Sequence, residues 1–206
     1  MIKGIIFDMD GVLIEARDWH YQALNEALHL FGFEITPEMH KEEFDGLPTR
    51  IKLEKLTLTE NLPTKLHPII NKIKQERALR IIAAKCYPNP QHIILMSALR
   101  RNGIPIGLAT NSIYETTKEM LTRAKLIDFF TCITTGEDVK HPKPNPEIYL
   151  ASCGKLELSP NEVIVIEDNH YGVQAATSAG CEVLRVANPR DVHIQAVNHY
   201  FDGRLT

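Results

Sequence analysis

Gly4-Ile5-Ile6-Phe7-Asp8-Met9-Asp10-Gly11-Val12 is the stretch from which the fold of this chain can be read. Its first four residues form a short apolar run with the length and composition of a buried strand. Side chains two apart on a strand face the same way. Asp8 and Asp10 fall where that strand breaks into a glycine turn, so the second carboxylate can swing over the first. In an open α/β sheet, the carboxyl end of a buried strand is where ligands bind. Two carboxylates there suit a hard cation and an attacking oxygen. The plain alternative is a pair of aspartates that only start a turn, and the downstream sequence decides between the two.

Three more strand ends follow. Ile104 to Ala109 reads as a second buried strand, ended by Thr110-Asn111-Ser112 and followed by a helix at about Ile113 to Ala124. In Asp138 to Tyr149 three prolines surround Lys143 and hold it on a stiff extended loop before a helix beginning near Pro146. Val163 to Ile166 is a third strand, ended by Glu167-Asp168-Asn169. Singly, each is ordinary: Thr-Asn-Ser after a strand is a common helix cap, and an acidic pair is usually a solvated turn. Their order, each at a strand end, is not ordinary.

In this arrangement the chain resembles the haloacid dehalogenase-like superfamily of aspartate-nucleophile phosphohydrolases over nearly its whole length. Asp8-Met9-Asp10-Gly11-Val12, Thr110-Asn111-Ser112, Lys143-Pro144 and Glu167-Asp168 match the four family motifs. Lys143 to Tyr149 (Lys-Pro-x-Pro-x-x-Tyr) and Gly172-Val173-Gln174-Ala175-Ala176 resemble the helical-cap subgroup. That subgroup includes β-phosphoglucomutase-like and phosphoglycolate phosphatase-like enzymes. The resemblance implies an α/β fold: a Rossmann-like parallel-sheet core from residues 1–15 and 88–206, with an α-helical cap, 16–87, inserted after the first strand.

Length and composition agree with it. At 206 residues the chain can bury a substantial core. A net charge of −3 and a pI near 6.3 argue against a nucleic-acid partner. Cys86, Cys132, Cys153 and Cys181 are scattered, with no Cys-x-x-Cys pair, so a reduced, cytoplasmic chain is expected. The N-terminal apolar run is broken at Asp8 and does not read as a signal peptide. No apolar stretch approaches the roughly 20 residues that span a bilayer, so no membrane partner is expected.

Between Val12 and Pro88 the pattern turns helical. Tyr21, Leu24, Leu28 and Phe31 mark an amphipathic helix from about Ala16 to Phe31, stopped at Gly32. Pro37 starts a second helix. Thr49 is expected to cap a third, with Ile51, Leu53 and Leu56 inward. A fourth runs from about Pro63 to Lys85 with Leu66, Ile69, Ile70 and Ile73 on one face, and Pro88 and Pro90 close the segment. Its position predicts a lid over the carboxyl end of the sheet, hinged near Ile14 and Tyr87. From Arg50 to Lys85 nine Lys or Arg face three Glu, a net of +6 that leaves −9 elsewhere. Most of these charges read as solvated helix faces, and some can draw an anionic substrate.

The resemblance also implies a chemistry. Asp8 attacks phosphorus to form an aspartyl-phosphate. Asp10 protonates the leaving alcohol and then deprotonates water. Asp8, Asp10 through its main-chain carbonyl, and Asp168 are the expected Mg²⁺ ligands, with Glu167 in contact or just behind. Thr110, Asn111 and Ser112 hold the phosphoryl group and Lys143 neutralises it. In the cap, Asp45, Thr49, Arg50 and His20 are the substrate-side candidates, with Arg50 favoured just past the Asp45-to-Thr49 turn. His20 has plain packing as its alternative. Trp19 reads as core, and His29, His40, His67, His193 and His199 as surface.

The expected activity is thus Mg²⁺-dependent hydrolysis of a small soluble phosphate monoester, a sugar, polyol or amino-alcohol phosphate. The start of the first cap helix and the Asp45-to-Thr49 turn resemble phosphatases of surface-polysaccharide biosynthesis. A β-phosphoglucomutase-type phosphomutase would keep every residue named. A non-catalytic binding protein would have lost one of them, and none is lost.

Overall fold

The computed structural model describes residues 1–205. The chain divides into two compact units, Met1–Glu15 with Tyr87–Thr206, and Ala16–Cys86. The first unit is built on a five-stranded, all-parallel sheet: β1 (Gly4–Phe7), β2 (Ile106–Ala109), β3 (Cys132–Thr134), β4 (Val163–Glu167) and β5 (Glu182–Arg185), in the order β3-β2-β1-β4-β5. The fold is α/β and Rossmann-like. β1, β2 and β4 are buried along their whole length, as befits central strands covered on both faces, and this is why they read as unbroken apolar runs. β2 starts at Ile106 and not at Ile104. Pro105 has no N–H to give a ladder, and its carbonyl instead accepts from the Ile5 N–H at 3.1 Å.

The second unit is helical. It contains α1 (Arg17–His29), the single turn α2 (Pro37–Met39) running into a π turn at His40–Phe44, α3 (Thr49–Glu60), a 3-10 turn at Thr64–Leu66 and α4 (His67–Lys85). Leu24, Leu28, Ile35, Phe44, Leu53, Leu56 and Ile70 form its own apolar cluster, with Tyr21, Phe31, Leu66 and Ile73 packed against it. Asn25 ties the loop after α1 by bonding both the N–H and the carbonyl of Ile35, at 2.9 and 2.8 Å. Three residues differ from what the sequence leads one to expect. Thr49 is the first helical residue of α3, and the cap position is Pro48, without a side-chain bond. Ile69 is exposed, because Ile70, one position on, faces the cluster. Trp19 is half-buried and outside the core.

The remaining helices belong to the first unit: α5 (Pro90–Arg101), α6 (Tyr114–Arg123), α7 (Glu147–Lys155), α8 (His170–Ala179) and the short α9 (Ile194–Val197). Pro90 opens α5 behind Asn89, whose side chain accepts from the Gln91 N–H, so this proline starts a helix as well as closing the preceding segment. Cys153 on α7 and Cys181 before β5 bring their sulfurs to 3.8 Å, although all four cysteines are free thiols. Among the described residues no helix is long and apolar enough to cross a membrane.

α5 also carries His92, fully buried, with Nε2 2.8 Å from the Pro189 carbonyl. That acceptor puts the ring hydrogen on Nε2. Nδ1 is then a bare nitrogen with no partner among the described residues. Burial lowers the His92 pKa, against the opposing pull of the Pro189 bond. The folded protein therefore binds fewer protons here than the unfolded chain, and stability is lost as pH falls below the unfolded histidine value of about 6.5. His92→Gln keeps a donor for Pro189 but does not titrate. Urea unfolding between pH 7 and pH 5 is expected to show a steeper decline for the wild type than for His92→Gln. Parallel pH profiles would contradict this account of the ring.

Candidate active site

The sheet register brings the site together. Phe7 is level with Leu108 on one side and Ile166 on the other. One residue further, Asp8 therefore emerges beside Ala109 and Glu167. The site sits at the carboxyl ends of β1, β2 and β4. The chain order reverses on either side of β1, and open sheets bind ligands at such a point.

Lys143 enters this space from the loop before α7 and is almost wholly buried. Its ammonium lies 2.6 Å from Asp8 Oδ1, 2.7 Å from Glu167 Oε1 and 2.9 Å from the Ala109 carbonyl oxygen. Three donors thus meet three acceptors. The loop is held from both sides. Glu147, in the first turn of α7, accepts from the N–H groups of Lys140 and His141, at 2.9 and 3.0 Å. Asn111 Oδ1 accepts from the Lys143 N–H at 3.2 Å. The Lys143–Pro144 peptide is cis.

Glu167, at the end of β4, is enclosed. Oε1 takes Lys143 and the Tyr149 hydroxyl, the latter at 2.8 Å. Oε2 accepts from the N–H groups of Asp168 and Asn169, at 2.9 and 3.1 Å. Four donors fill the usual capacity of a carboxylate. A methyl group at Gly172 would collide with this carboxylate, so α8 can approach β4 only with glycine there.

Asp10 and Ser112 join the first two loops: Ser112 Oγ donates to Asp10 Oδ2 at 2.9 Å. Thr110 is buried, its N–H bonded to the Thr134 carbonyl at 3.0 Å and its hydroxyl accepting from the Ser112 N–H at 3.1 Å. The core motif residues Asp8, Asp10, Thr110, Asn111, Ser112, Lys143, Glu167 and Asp168 are therefore assembled around one set of strand ends. His20, Asp45, Thr49 and Arg50 lie in the helical unit. Arg50 there pairs with Glu54 at 2.8 Å, and His20 Nδ1 is 3.5 Å from the Lys74 ammonium.

Burial raises the Asp8 carboxyl well above the usual range. Lys143 opposes that rise, and Glu167, Asp168 and Asp10 add to it. Burial alone would lower Lys143, but the Asp8 and Glu167 charges overcome it and hold the ammonium above its ordinary value. Burial, followed by the negative charges of Glu167 and Asp8, raises Tyr149, so its hydroxyl remains a donor.

Asp8, Glu167 and Asp168 each offer a carboxylate oxygen within 4.8 Å of the others, all three buried. One ammonium against three carboxylates leaves negative charge in excess, and the donors are all oxygen. That chemistry fits a hard divalent cation. Gly11, at φ +92°, shapes the floor of this cluster, since a methyl group there would strike the Asp168 carboxylate. With Glu167 already saturated, Asp8 and Asp168 are the side chains best suited to direct contact.

Two residues that close the site act at a distance along the chain and are not marked by local pattern. Tyr149 stood inside the quoted Lys-Pro-x-Pro-x-x-Tyr run, six residues past the lysine. Gly172 stood in the run after the acidic pair. Neither stretch reveals by itself that both residues close on Glu167.

The family model described as haloacid dehalogenase-like hydrolase matches residues 5–186. The chain belongs to this family. A phosphorylated carbohydrates phosphatase of Thermotoga maritima is 31% identical over 186 residues, covering 88% of this chain and 83% of the relative. A β-phosphoglucomutase of Bacillus subtilis is 29% identical over 188 residues, covering 87% and 80%. The crystal structure of a β-phosphoglucomutase from Clostridium difficile superposes with a TM-score of 0.85 over 98% of each chain at 23% identity, a likeness of fold. The chain is thus an enzyme of the phosphatase- and phosphomutase-like branch, and the phosphoric monoester hydrolase expected from its motifs is the matching class.

Gly172→Ala should push the Glu167 carboxylate off Lys143 and Tyr149. The expected cost is about 1–3 kcal/mol in urea unfolding, the usual range for overpacking. Gly154→Ala is the control: it lies within α7 with nothing near its added methyl and should be neutral or stabilise by up to ~1 kcal/mol. Equal effects of the two substitutions would contradict the close approach at Glu167.

Proposed function

We propose that the protein is a Mg²⁺-dependent phosphatase of small soluble phosphate monoesters, acting through an aspartyl-phosphate on Asp8. The observation that carries this reading is the buried Lys143 ammonium set between Asp8 and Glu167, with Asp168 alongside, at the strand ends. A carboxylate attacks a phosphate dianion poorly unless the two negative charges are screened, and this cluster is built to screen them.

In the first half-reaction an Asp8 oxygen forms a bond to phosphorus as the bond to the leaving alcohol oxygen breaks. Asp10 gives that oxygen its proton. In the second, Asp10 takes a proton from water as water displaces Asp8 from phosphorus, releasing phosphate and restoring the Asp8 carboxylate and the Asp10 carboxylic acid. Lys143 neutralises charge on Asp8 and the transferring group throughout, and Thr110 holds a phosphoryl oxygen. Bound Mg²⁺, held by Asp8, Asp168 and the Asp10 carbonyl, would supply the further positive charge that lets the nucleophile approach. Glu167 acts from behind by fixing Lys143 and the Asp168 turn.

The motif residues act on the phosphoryl group and have little influence over the alcohol. Leaving-group discrimination is therefore assigned to the helical unit Ala16–Cys86 acting as a cap, with His20, Asp45, Thr49 and Arg50 as its candidates. A carbohydrate or polyol phosphate is the first substrate class to test, supported by the name of the Thermotoga relative. The Bacillus β-phosphoglucomutase relative favours a second reading, phosphomutase, in which the same residues return the phosphoryl group to a sugar. Product analysis with a sugar bisphosphate primer separates the two.

The primary test is a panel of phosphate esters assayed for released phosphate. Wild type is expected to turn over with Mg²⁺ and to lose activity on chelation, with Ca²⁺ unable to replace it because of its longer, looser coordination. Asp8→Asn should bring turnover to background, below about 1% of wild type, while the unfolding midpoint stays close. Full activity after chelation, or substantial turnover by Asp8→Asn, would contradict the proposal.

A further inference from the structure

Ser112 belongs to the Thr110-Asn111-Ser112 motif expected to hold phosphate, yet its hydroxyl is directed elsewhere. Ser112 Oγ donates to Asp10 Oδ2 at 2.9 Å, across 102 residues of sequence. A serine hydroxyl has one proton to give, and here it goes to the carboxylate assigned to acid–base work. Both partners stand on backbone that is fixed independently. The Ser112 N–H is bonded to Thr110 Oγ1 at 3.1 Å and its carbonyl to the Gly136 N–H at 3.0 Å. Gly136 lies so close to the same turn that an added methyl would come within 2.6 Å of the Asn111 carbonyl oxygen. On the other side, Asp10 pairs with Ile14 in a short bridge, and the Gly11 N–H bonds the Ile14 carbonyl at 2.7 Å. The serine therefore cannot follow the aspartate if it turns, nor the aspartate the serine.

We propose that Ser112 is the positioning residue of the acid–base carboxylate: it fixes the side-chain direction of Asp10, and so the site at which the leaving alcohol receives its proton. This rests on the reading of Asp10 as the group that protonates the leaving oxygen. It departs from the view of Ser112 as a phosphate contact, and the two assignments differ in what they do to different leaving groups. A phosphate contact stabilises the transferring group whatever is attached to it. A guide for the acid matters in proportion to how badly the departing oxygen needs a proton. An alkoxide needs one before it can leave, whereas a nitrophenolate leaves as the anion.

The experiment compares kcat/KM for an alkyl phosphate (glycerol 2-phosphate or the best alkyl ester of the substrate panel) and for p-nitrophenyl phosphate, with saturating Mg²⁺. kcat/KM covers the steps up to the first phosphoryl transfer, so hydrolysis of the aspartyl-phosphate, common to both, does not mask the difference. General acid catalysis contributes about 10²–10⁴-fold, and loss of its guide should forfeit part of that. Ser112→Ala is expected to lower kcat/KM for the alkyl ester at least roughly tenfold more than for the aryl ester. Asp10→Asn should show the same bias more strongly. Ser112→Thr, which restores a hydroxyl, should recover most of the alkyl activity. Equal losses on both esters would overturn the proposal in favour of a phosphate contact or a folding role. So would an unchanged ratio in Ser112→Ala beside a biased ratio in Asp10→Asn. Absence of leaving-group bias in Asp10→Asn itself would instead remove the acid–base reading beneath it.

Discussion

A single buried ammonium holds this site together. Lys143 lies in the interior with two carboxylates and a carbonyl around its nitrogen, and each of those acceptors comes from a different strand end. Taking such charges out of water costs several kcal/mol per ion, and mutual attraction with full hydrogen bonding is what offsets it. The geometry meets that demand: every ammonium proton has an acceptor, and every lone pair of Glu167 has a donor. Removing the lysine would take the positive charge from between Asp8 and Glu167 and leave only neutral donors on Glu167. The same constraint that stabilises the interior therefore keeps the Asp8 carboxylate in place.

The rest of the first unit serves this arrangement. Parallel register places Asp8 between Ala109 and Glu167. Glu147 and Asn111 clamp the loop that delivers Lys143. Glycines at 11 and 172 admit carboxylates where any side chain would displace them. The ion pair is therefore a property of five separate segments, and a shift in any one reaches the others through Lys143 or Glu167.

Much of this was legible in the chain. β1, β2 and β4 are buried on both faces, so their apolar runs are continuous and end sharply at polar residues. Those ends are the site. The two edge strands were not legible: β3 has three residues, two of them only half-buried, and β5 begins with a glutamate and ends with an arginine, both exposed. Hydrogen bonding to one neighbour makes them strands, and no local pattern announces that. In the helical unit, apolar residues are spread around α3 and α4, so periodicity alone does not separate the exposed Ile69 from the buried Ile70. Thr49 has a capping side chain but stands one residue inside α3, behind Pro48. The bonds from Tyr149 to Glu167 and from Ser112 to Asp10 join positions 18 and 102 residues apart. Residue types suggested that these groups mattered, but only the fold pairs them.

The proposed chemistry requires Asp8 to carry the phosphoryl group. The most direct measurement is rapid acid quenching of the Mg²⁺-loaded enzyme during turnover of a ³²P-labelled ester, followed by peptide mapping. The expected result is label on the peptide containing Asp8, stable in acid and released by mild alkali as an acyl phosphate should be. Turnover without any covalent label, or an alkali-stable label on a serine or threonine, would contradict it.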